Sequence, residues 1–304
     1  MTKILLTPEK INHLKFIDTQ NLLPGRYNFP DFLIIGPQRT GTTWLQQNLI
    51  KHPEIDMPAQ KELFFFSHLK VKSCNKNFTS CRLEWYSKMF ATWSGSNILH
   101  HLKERGKDLL QKKKCFEVFY KFRNYLSGTL IKGEATASYA AMEEDLIEEL
   151  ILLQPEIKII LFVRHPYERA WSHAKKDLVR DSGRSYEDIN PREFEDFFSS
   201  DYQLRCGRYT ALIDKWLRYI PEKNFFIGFF DDVTNNPRKL LKNIYTFLCV
   251  ADSDKYIEEQ LSAKVINQTE KMKIPPNYRL LLHKLFSDEV RRMNNRFQLN
   301  WDID

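Results

Sequence analysis

The clearest pattern along the chain is a set of four short apolar runs with almost no polar interruption. These runs are Phe32–Ile35, Leu130–Lys132, Ile157–Val163 and Phe225–Phe230. Continuous apolar runs of this kind are typical of strands in a parallel sheet that is covered on both faces. The sequence therefore predicts that these four runs form strands of one buried sheet.

The segments between the runs have the period of amphipathic helices. In one of them, six apolar residues recur at helical spacing along a single stripe: Tyr209, Leu212, Ile213, Trp216, Leu217 and Ile220. Asn236-Pro237 predicts an N-cap followed by Pro at the first helical position, and the stretch after Pro276 predicts a closing helix. Alternating strands and helices indicate an α/β fold with three layers, P-loop-like, in which helices flank a central parallel sheet.

The domain organisation follows from what the sequence lacks. It contains no internal repeat, no low-complexity segment and no linker rich in Gly and Ser. We therefore predict one domain over residues 1–304, with a helical insertion at about residues 69–127.

Composition and charge narrow the class of protein. The net charge of +7 favours anionic ligands, but no motif for nucleic-acid binding accompanies it. No apolar run approaches the roughly 20 residues that a membrane span requires, and the N-terminus has no signal-peptide core. The five Cys residues form no C-x-x-C pair, which argues against a zinc ribbon. We predict a cytoplasmic protein with no membrane span; the oligomeric state stays open.

The first strand leads into a candidate anion-binding loop, "FLIIGPQRTGTTWL", which contains Gly36, Arg39 and Gly41. A strand that ends in a Gly-containing turn before a helix leaves several backbone N–H groups pointing at one spot, next to the positive end of the helix dipole. Arg39 adds a full charge, and three hydroxyl groups are available from Thr40, Thr42 and Thr43. These features together exceed what a simple strand–helix turn requires.

The same loop lacks the Lys of an ordinary nucleotide triphosphate loop, because Thr42 follows the second Gly. Metal-dependent phosphoryl transfer normally uses that Lys together with an acidic residue on a second strand. Asp231-Asp232, after the fourth run, could supply the acid. A P-loop kinase or nucleotide hydrolase therefore remains an alternative.

A second candidate site, "RHPYERAWS", follows the third run and spans Arg164 to Ser172. It lies at the carboxyl edge of the predicted sheet, where open α/β sheets bind ligands. Arg makes bidentate contacts with phosphate oxygens, and Ser172 adds a hydroxyl group. For Arg169, a surface charge and a functional role remain equally open. Two anion sites at neighbouring strand ends indicate a ligand with phosphates at both ends.

Together these residues resemble the sulfotransferases that use 3′-phosphoadenosine 5′-phosphosulfate (PAPS), in particular the branch with heparan-sulfate sulfotransferases and bacterial relatives. The first loop is similar to the 5′-phosphosulfate loop of that family, and "RHPYERAWS" to its 3′-phosphate motif. Supporting segments are "KELFFF", "WY" at residues 85–86, "GEATASY" and "GRYTALIDKWL". The resemblance extends from about Phe32 to Phe247.

The resemblance implies metal-free, in-line transfer of a sulfuryl group from PAPS to a hydroxyl or amine of a small metabolite or a glycan. Glu62 would act as general base and Lys61 would neutralise the sulfonate oxygens. Arg39 would stand where the family usually has Lys. By the same resemblance, the residues that bind the 5′ end of the co-substrate are Arg39, Thr40, Gly41, Thr42, Thr43 and Trp44. Arg164 and Ser172 would bind the 3′-phosphate, and Tyr209 belongs to the same cofactor-binding set.

The sequence does not identify the acceptor. Ala135 stands where some glycan-modifying members of the family carry Lys after the Glu of the "GE" segment. The residues that contact adenine are also unassigned. A third alternative is a non-catalytic protein that binds an anionic nucleotide or a sulfated ligand.

Overall fold

The computed structural model describes residues 3–58, 60–70, 80–91, 130–257 and 272–304. The strands are β1 Lys3–Leu6, β2 Gly25–Asn28, β3 Phe32–Ile34, β4 Ile55–Asp56, β5 Ile131–Ala135, β6 Lys158–Val163 and β7 Phe225–Phe229. Five of them form one parallel sheet in the order β4–β5–β3–β6–β7. The other two, β1 and β2, form a separate antiparallel pair.

Helices surround the sheet. The described α-helices are α1 Pro8–His13, α2 Thr42–Leu49, α3 Phe65–His68, α4 Leu83–Met89, α5 Glu144–Leu153, α6 Pro166–Ala174, α7 Pro191–Ser199, α8 Asp201–Gly207, α9 Tyr209–Leu217, α10 Phe230–Asn235, α11 Pro237–Leu248 and α12 Pro276–Phe297. Short 3₁₀ segments are Ala137–Ala141, Glu222–Asn224 and Asp254–Tyr256, and a π-helical turn, Lys175–Arg180, continues α6. The predicted helices at Tyr209, Pro237 and Pro276 are confirmed.

The predicted α/β fold with a flanked parallel sheet is confirmed, and the four predicted strands are β3, β5, β6 and β7. Alternate residues of the central strands enter two different cores. Leu33 and Ile159 pack with residues of α5, α6, α9 and α12 on one face. Phe32 and Ile160 pack with α2 and α11 on the other. Coverage of both faces explains why β3 and residues 159–163 of β6 are apolar at every position.

Two glycines in the sheet make room for the aromatic rings of Phe residues on the neighbouring strands. Gly133 of β5 is paired with Phe32, and Gly228 of β7 is paired with Phe162. A Cβ atom at Gly133 would lie 2.0 Å from the Phe32 ring, and one at Gly228 would lie 2.3 Å from the Phe162 ring. Each glycine therefore provides the space that its cross-strand Phe occupies.

Three strand features differ from the prediction. The strand predicted at Leu130–Lys132 extends to Ala135, because buried Glu134 continues it beyond the apolar run. The edge strand β4 has two residues, too few to show any periodicity. In β1, alternate residues are exposed, which is the pattern of a strand with one buried face.

The predicted helical insertion lies largely outside the described residues. Within its bounds the structure describes residues 69–70 and 80–91, including α4. The single-domain organisation stays a prediction. In the described parts of the chain, no helix has both the length and the apolar composition to cross a membrane.

Candidate active site

The loop between β3 and α2 folds tightly over the end of β6. Gly41 is the N-cap of α2 and has φ 104°, and Arg39 has φ 74°. A Cβ atom at Gly36 would lie 2.9 Å from the Phe162 carbonyl oxygen. The Thr40 hydroxyl is fully buried and donates to the Pro37 carbonyl at 2.8 Å. The loop is thus held in one shape at the positive end of α2, as an anion cradle requires.

Lys61 joins this loop to Glu62. Its ammonium nitrogen donates to the Thr43 hydroxyl at 2.8 Å and to the Thr42 hydroxyl at 3.2 Å. The same nitrogen lies 2.9 Å from Glu62 Oε1. Glu62 Oε2 accepts from the Ala137 N–H at 2.8 Å. A carboxylate is therefore fixed beside the anion cradle, with a cation between them.

Arg39 reaches across to the second motif. Its Nε donates to the Ser172 hydroxyl at 2.9 Å, and Arg164 Nη1 donates to the Arg39 carbonyl at 3.4 Å. Burial, together with the charges of Arg180 and Arg164, lowers the pKa of Arg39 to about 10. Arg39 therefore remains charged at neutral pH, and an anion between these cations would relieve their repulsion.

Arg164 is held by an aromatic ring and a carboxylate. Its guanidinium carbon lies 4.5 Å from the centroid of the Phe230 ring, and its Nη2 lies 3.6 Å from Glu168 Oε2. Burial lowers the pKa of Arg164, and the Glu168 charge opposes that shift. The Arg164 N–H donates to the hydroxyl of fully buried Tyr209 at 3.4 Å. Burial raises the pKa of Tyr209 to about 12, so that this hydroxyl stays neutral.

Arg169 does not lie on the surface, and that reading of the sequence was wrong. Its side chain is 0% exposed, and its Nη2 donates to the Gln203 carbonyl at 3.4 Å. Its Nε and Nη1 have no hydrogen-bond partner among the described residues. This charge lies on α6, three residues before Ser172, and therefore adds positive potential within the second motif.

Trp44 differs from the rest of the predicted cofactor-binding set. Its side chain is buried in the core shared by α2 and α11 rather than exposed beside the loop. Any contact between Trp44 and a ligand at the loop would therefore involve its backbone.

Glu134 is a residue of the site whose burial the sequence did not reveal. It is 2% exposed and accepts hydrogen bonds from the hydroxyls of Thr136, Tyr86 and Tyr139. Burial raises the pKa of Glu134 to about 7, although these hydrogen bonds oppose the shift, and the Glu62 charge raises it further. The only signal in the sequence was the segment "GEATASY", in which nothing indicates that Glu134 is buried.

The titration of Glu134 makes a prediction about stability. An unfolded Glu titrates near 4.5 and folded Glu134 near 7, so between these pH values the folded state binds more protons. The free energy of unfolding should therefore fall across that window, by about 3 kcal/mol for this carboxyl. Urea unfolding of the wild type and Glu134→Gln at pH 5 to 8 measures the effect as a pH-dependent difference between them. A constant difference would contradict it.

Replacing Arg164 by Ala should weaken the binding of a nucleotide with a 3′-phosphate by about 10- to 150-fold, the value of a charge-assisted hydrogen bond. The physical reason is the loss of a cation that Phe230 and Glu168 hold in place. Calorimetric titration with 3′-phosphoadenosine 5′-phosphate (PAP) and with adenosine 5′-phosphate measures the effect. The matched control is Arg296→Ala, which removes an Arg paired with Asp214. Equal losses for both nucleotides would contradict the prediction.

Of the two acidic residues considered for a metal, Asp231 makes a contact within the protein. Asp231 Oδ2 accepts from the indole N–H of Trp301 at 2.6 Å and so holds the C-terminal segment. Among the described residues, no group of three or more His, Cys, Asp or Glu side chains could hold a metal ion.

Comparisons with known proteins give a consistent result. The family model for the Sulfotransferase family matches residues 30–254. The bifunctional heparan sulfate N-deacetylase/N-sulfotransferase 4 of Mus musculus is 27% identical over 241 residues, which are 76% of this chain and 23% of that protein. The corresponding Drosophila melanogaster enzyme is 26% identical over 230 residues, 73% of this chain and 20% of that protein. This chain thus spans less than a quarter of the length of either relative.

A solved structure shares the fold. The sulfotransferase from Alicyclobacillus acidocaldarius superimposes with a TM-score of 0.61 at 19% sequence identity. The match covers 90% of this chain and 97% of that one. The arrangement of sheet and helices described above is therefore that of a known sulfotransferase structure.

Proposed function

Because the chain belongs to the Sulfotransferase family, we propose that it is an enzyme that transfers a sulfuryl group from PAPS to a hydroxyl or amine of an acceptor. One observation carries this proposal. Lys61 binds the hydroxyls of Thr42 and Thr43 and the carboxylate of Glu62 at the same time. A candidate base, a cation and an anion-binding loop therefore adjoin one another.

The residues present fit the co-substrate. A Cβ atom at Gly36 would clash with Thr40, Thr42 and the Phe162 carbonyl, so glycine lets the loop close tightly before the N-terminus of α2, where backbone N–H groups favour an anion. Arg39 and Thr43 would hold the 5′-phosphosulfate end, and Arg164 and Ser172 the 3′-phosphate. When bound, PAPS supplies an activated sulfuryl group whose transfer leaves PAP.

The chain's own residues have distinct roles in this proposal. Glu62 accepts the proton that the acceptor hydroxyl or amine loses as it attacks sulfur. Lys61 neutralises charge on the sulfonate oxygens. Arg39 stabilises the negative charge that develops on the leaving phosphate. None of these steps requires a metal ion.

For the acceptor, we propose a glycan that contains amino sugars. The relatives named above are enzymes of heparan sulfate N-sulfation, and they cover about three quarters of this chain. The net charge of +7 also suits an anionic polymer. Ala135, in the place of a family Lys, indicates that the contacts with the glycan differ in detail.

The test is an assay with ³⁵S-labelled PAPS, with and without EDTA. The acceptors are a glycan with free glucosamine amines, the same glycan with acetylated amines, and a panel of small alcohols and amines. We expect labelled glycan with free amines, in equal amounts in both buffers. Transfer only to small alcohols would overturn the acceptor proposal. Strict metal dependence, or tight binding of PAP without transfer to any acceptor, would overturn the proposed reaction in favour of the kinase or the non-catalytic binder.

A further inference from the structure

The backbone that carries Glu62 has an unusual conformation. Glu62 has φ 63° and Phe64, two residues later, has φ 57°. Both values lie in the left-handed region, which residues other than Gly seldom occupy. Something outside this segment must therefore hold it. The Glu62 N–H donates to the Ala135 carbonyl at 3.0 Å, and two further backbone N–H groups of the segment lead, through hydroxyl groups, to one buried side chain.

We propose that Glu134 is a positioning residue of the transfer site, whose buried carboxylate fixes the backbone that presents Glu62. This inference rests on the proposed function, because it assumes that Glu62 is the base. It assigns to Glu134 no contact with either substrate.

The first connection runs through Thr136. The Leu63 N–H donates to the Thr136 hydroxyl oxygen at 3.0 Å, and that hydroxyl donates to Glu134 Oε1 at 2.6 Å. A hydroxyl has one proton, so the carboxylate determines which way it points. Its lone pair is thereby directed at the amide that immediately follows Glu62.

The second connection runs through Tyr139. Its hydroxyl accepts from the Phe66 N–H at 3.3 Å and hydrogen-bonds to Glu134. Phe66 is the second residue of α3, which begins directly after left-handed Phe64. Glu134 thus holds both ends of the segment from Leu63 to Phe66.

The third connection is an aromatic stack. The Tyr86 hydroxyl donates to Glu134 Oε2, and the Tyr86 ring stacks on Phe65 with centroids 4.3 Å apart and planes at 12°. The Tyr86 ring therefore packs on the segment between its two backbone hydrogen bonds.

These partners explain why the buried group is a carboxylate. All three neighbours present O–H donors, and above its pKa of about 7 the ionised Glu134 carboxylate offers only acceptors. In a Gln at this position, the NH₂ group would face a hydroxyl that donates to the carboxylate in the wild type. At least one of the three hydrogen bonds would therefore be lost or reversed. Burying a carboxylate is unfavourable unless hydrogen bonds compensate it. Here the compensating groups are the ones that position the Glu62 segment.

Glu149 provides a matched control. It is also buried, at 3% exposure, and its carboxylate also accepts several hydrogen bonds, here from the backbone N–H groups of Phe16 and Ile17. Its hydrogen-bond partners belong to the N-terminal segment, and within the described residues no hydrogen bond links it to the segment that carries Glu62. Replacing Glu149 therefore reports the general effect of neutralising a buried carboxylate.

The experiment compares four variants of the full chain: Glu134→Gln, Thr136→Val, Thr136→Ser and Glu149→Gln. The measurements are kcat, the KM values for acceptor and PAPS, the Kd for PAP, and hydrogen exchange at the Leu63 and Phe66 amides. We expect Glu134→Gln and Thr136→Val to lower kcat by about 10- to 100-fold, the scale of a small misplacement of a reacting group. The Kd for PAP should stay unchanged, and both amides should exchange faster.

Thr136→Ser keeps the hydroxyl and should restore kcat, and Glu149→Gln should leave it unchanged. The inference is overturned if Glu134→Gln and Glu149→Gln have the same kcat, or if PAP affinity falls in step with kcat. If Glu134→Gln does not fold, the inference is tested by comparing the kcat of Thr136→Val with that of Thr136→Ser. Equal kcat values would then overturn it.

Failure of this inference can be told apart from failure of the proposed function. If Glu62→Gln is inactive while Glu134→Gln and Thr136→Val are fully active, only the positioning role is wrong. If the wild type transfers nothing to any acceptor, the proposed function is wrong. The exchange rates at Leu63 and Phe66 then still show whether Glu134 holds the segment.

Discussion

Glu62→Gln is expected to lower kcat for sulfuryl transfer by about 10²- to 10⁴-fold, the usual contribution of a general base. Gln has the size of Glu and can still accept from the Ala137 N–H, which lies 2.8 Å from Glu62 Oε2. It cannot take up the proton that the acceptor loses. The loss should therefore appear in kcat, measured with ³⁵S-labelled PAPS, while the Kd for PAP stays as in the wild type.

The control for this variant is Glu148→Gln, which neutralises an exposed carboxylate paired with Lys15 instead. Because Glu148 lies outside the proposed site, that variant should keep kcat. A Glu62→Gln enzyme with the kcat of the wild type would show that another group takes the proton, and it would remove Glu62 from the mechanism.

The second large effect is expected for Arg39→Ala, which should lower kcat by about 10²- to 10³-fold, the value of one preorganised group at a developing charge. Arg39 is half-buried and reaches Ser172 across the two motifs. Water therefore screens its charge less than it would screen an exposed Arg. Single-turnover transfer at saturating PAPS separates this effect from weaker binding.

A comparison of Arg39→Lys with Arg39→Ala tests whether a positive charge at this position is sufficient. The resemblance to the family implies that Lys is the usual cation at this place, so Arg39→Lys should recover most of the lost kcat. Arg296→Ala controls for the loss of one positive charge elsewhere, since Arg296 is paired with Asp214 on the surface. If Arg39→Lys were as slow as Arg39→Ala, a charge alone would not account for the role of this residue.

The fold could be predicted because its signals are local. The apolar runs of β3 and β6 and the stripe of α9 show their periods directly in the sequence. The loop after β3 could be predicted because glycines, threonines and a cation occur within a few residues. Edge strand β4 could not be predicted, because its two residues are too few to show an apolar periodicity.

The contacts within the site could not be predicted, because they join residues far apart in the chain. Arg39 and Ser172 are 133 positions apart, and they meet because β3 and β6 are neighbours in the sheet. Likewise, nothing in the sequence showed that Glu134 and Arg169 are buried charges. The ligand-binding roles of individual residues, the single domain and the cytoplasmic location stay predictions.

The left-handed backbone at Arg39, Glu62 and Phe64 has a thermodynamic consequence. Each such residue costs the folded protein about 1 kcal/mol or more, against a total stability of roughly 5–15 kcal/mol. Selection for heat resistance alone would therefore favour Gly at these three positions, and two of those replacements would remove a proposed catalytic side chain. Replacing Arg39 or Glu62 by Gly should therefore raise the melting temperature of this protein and lower its turnover.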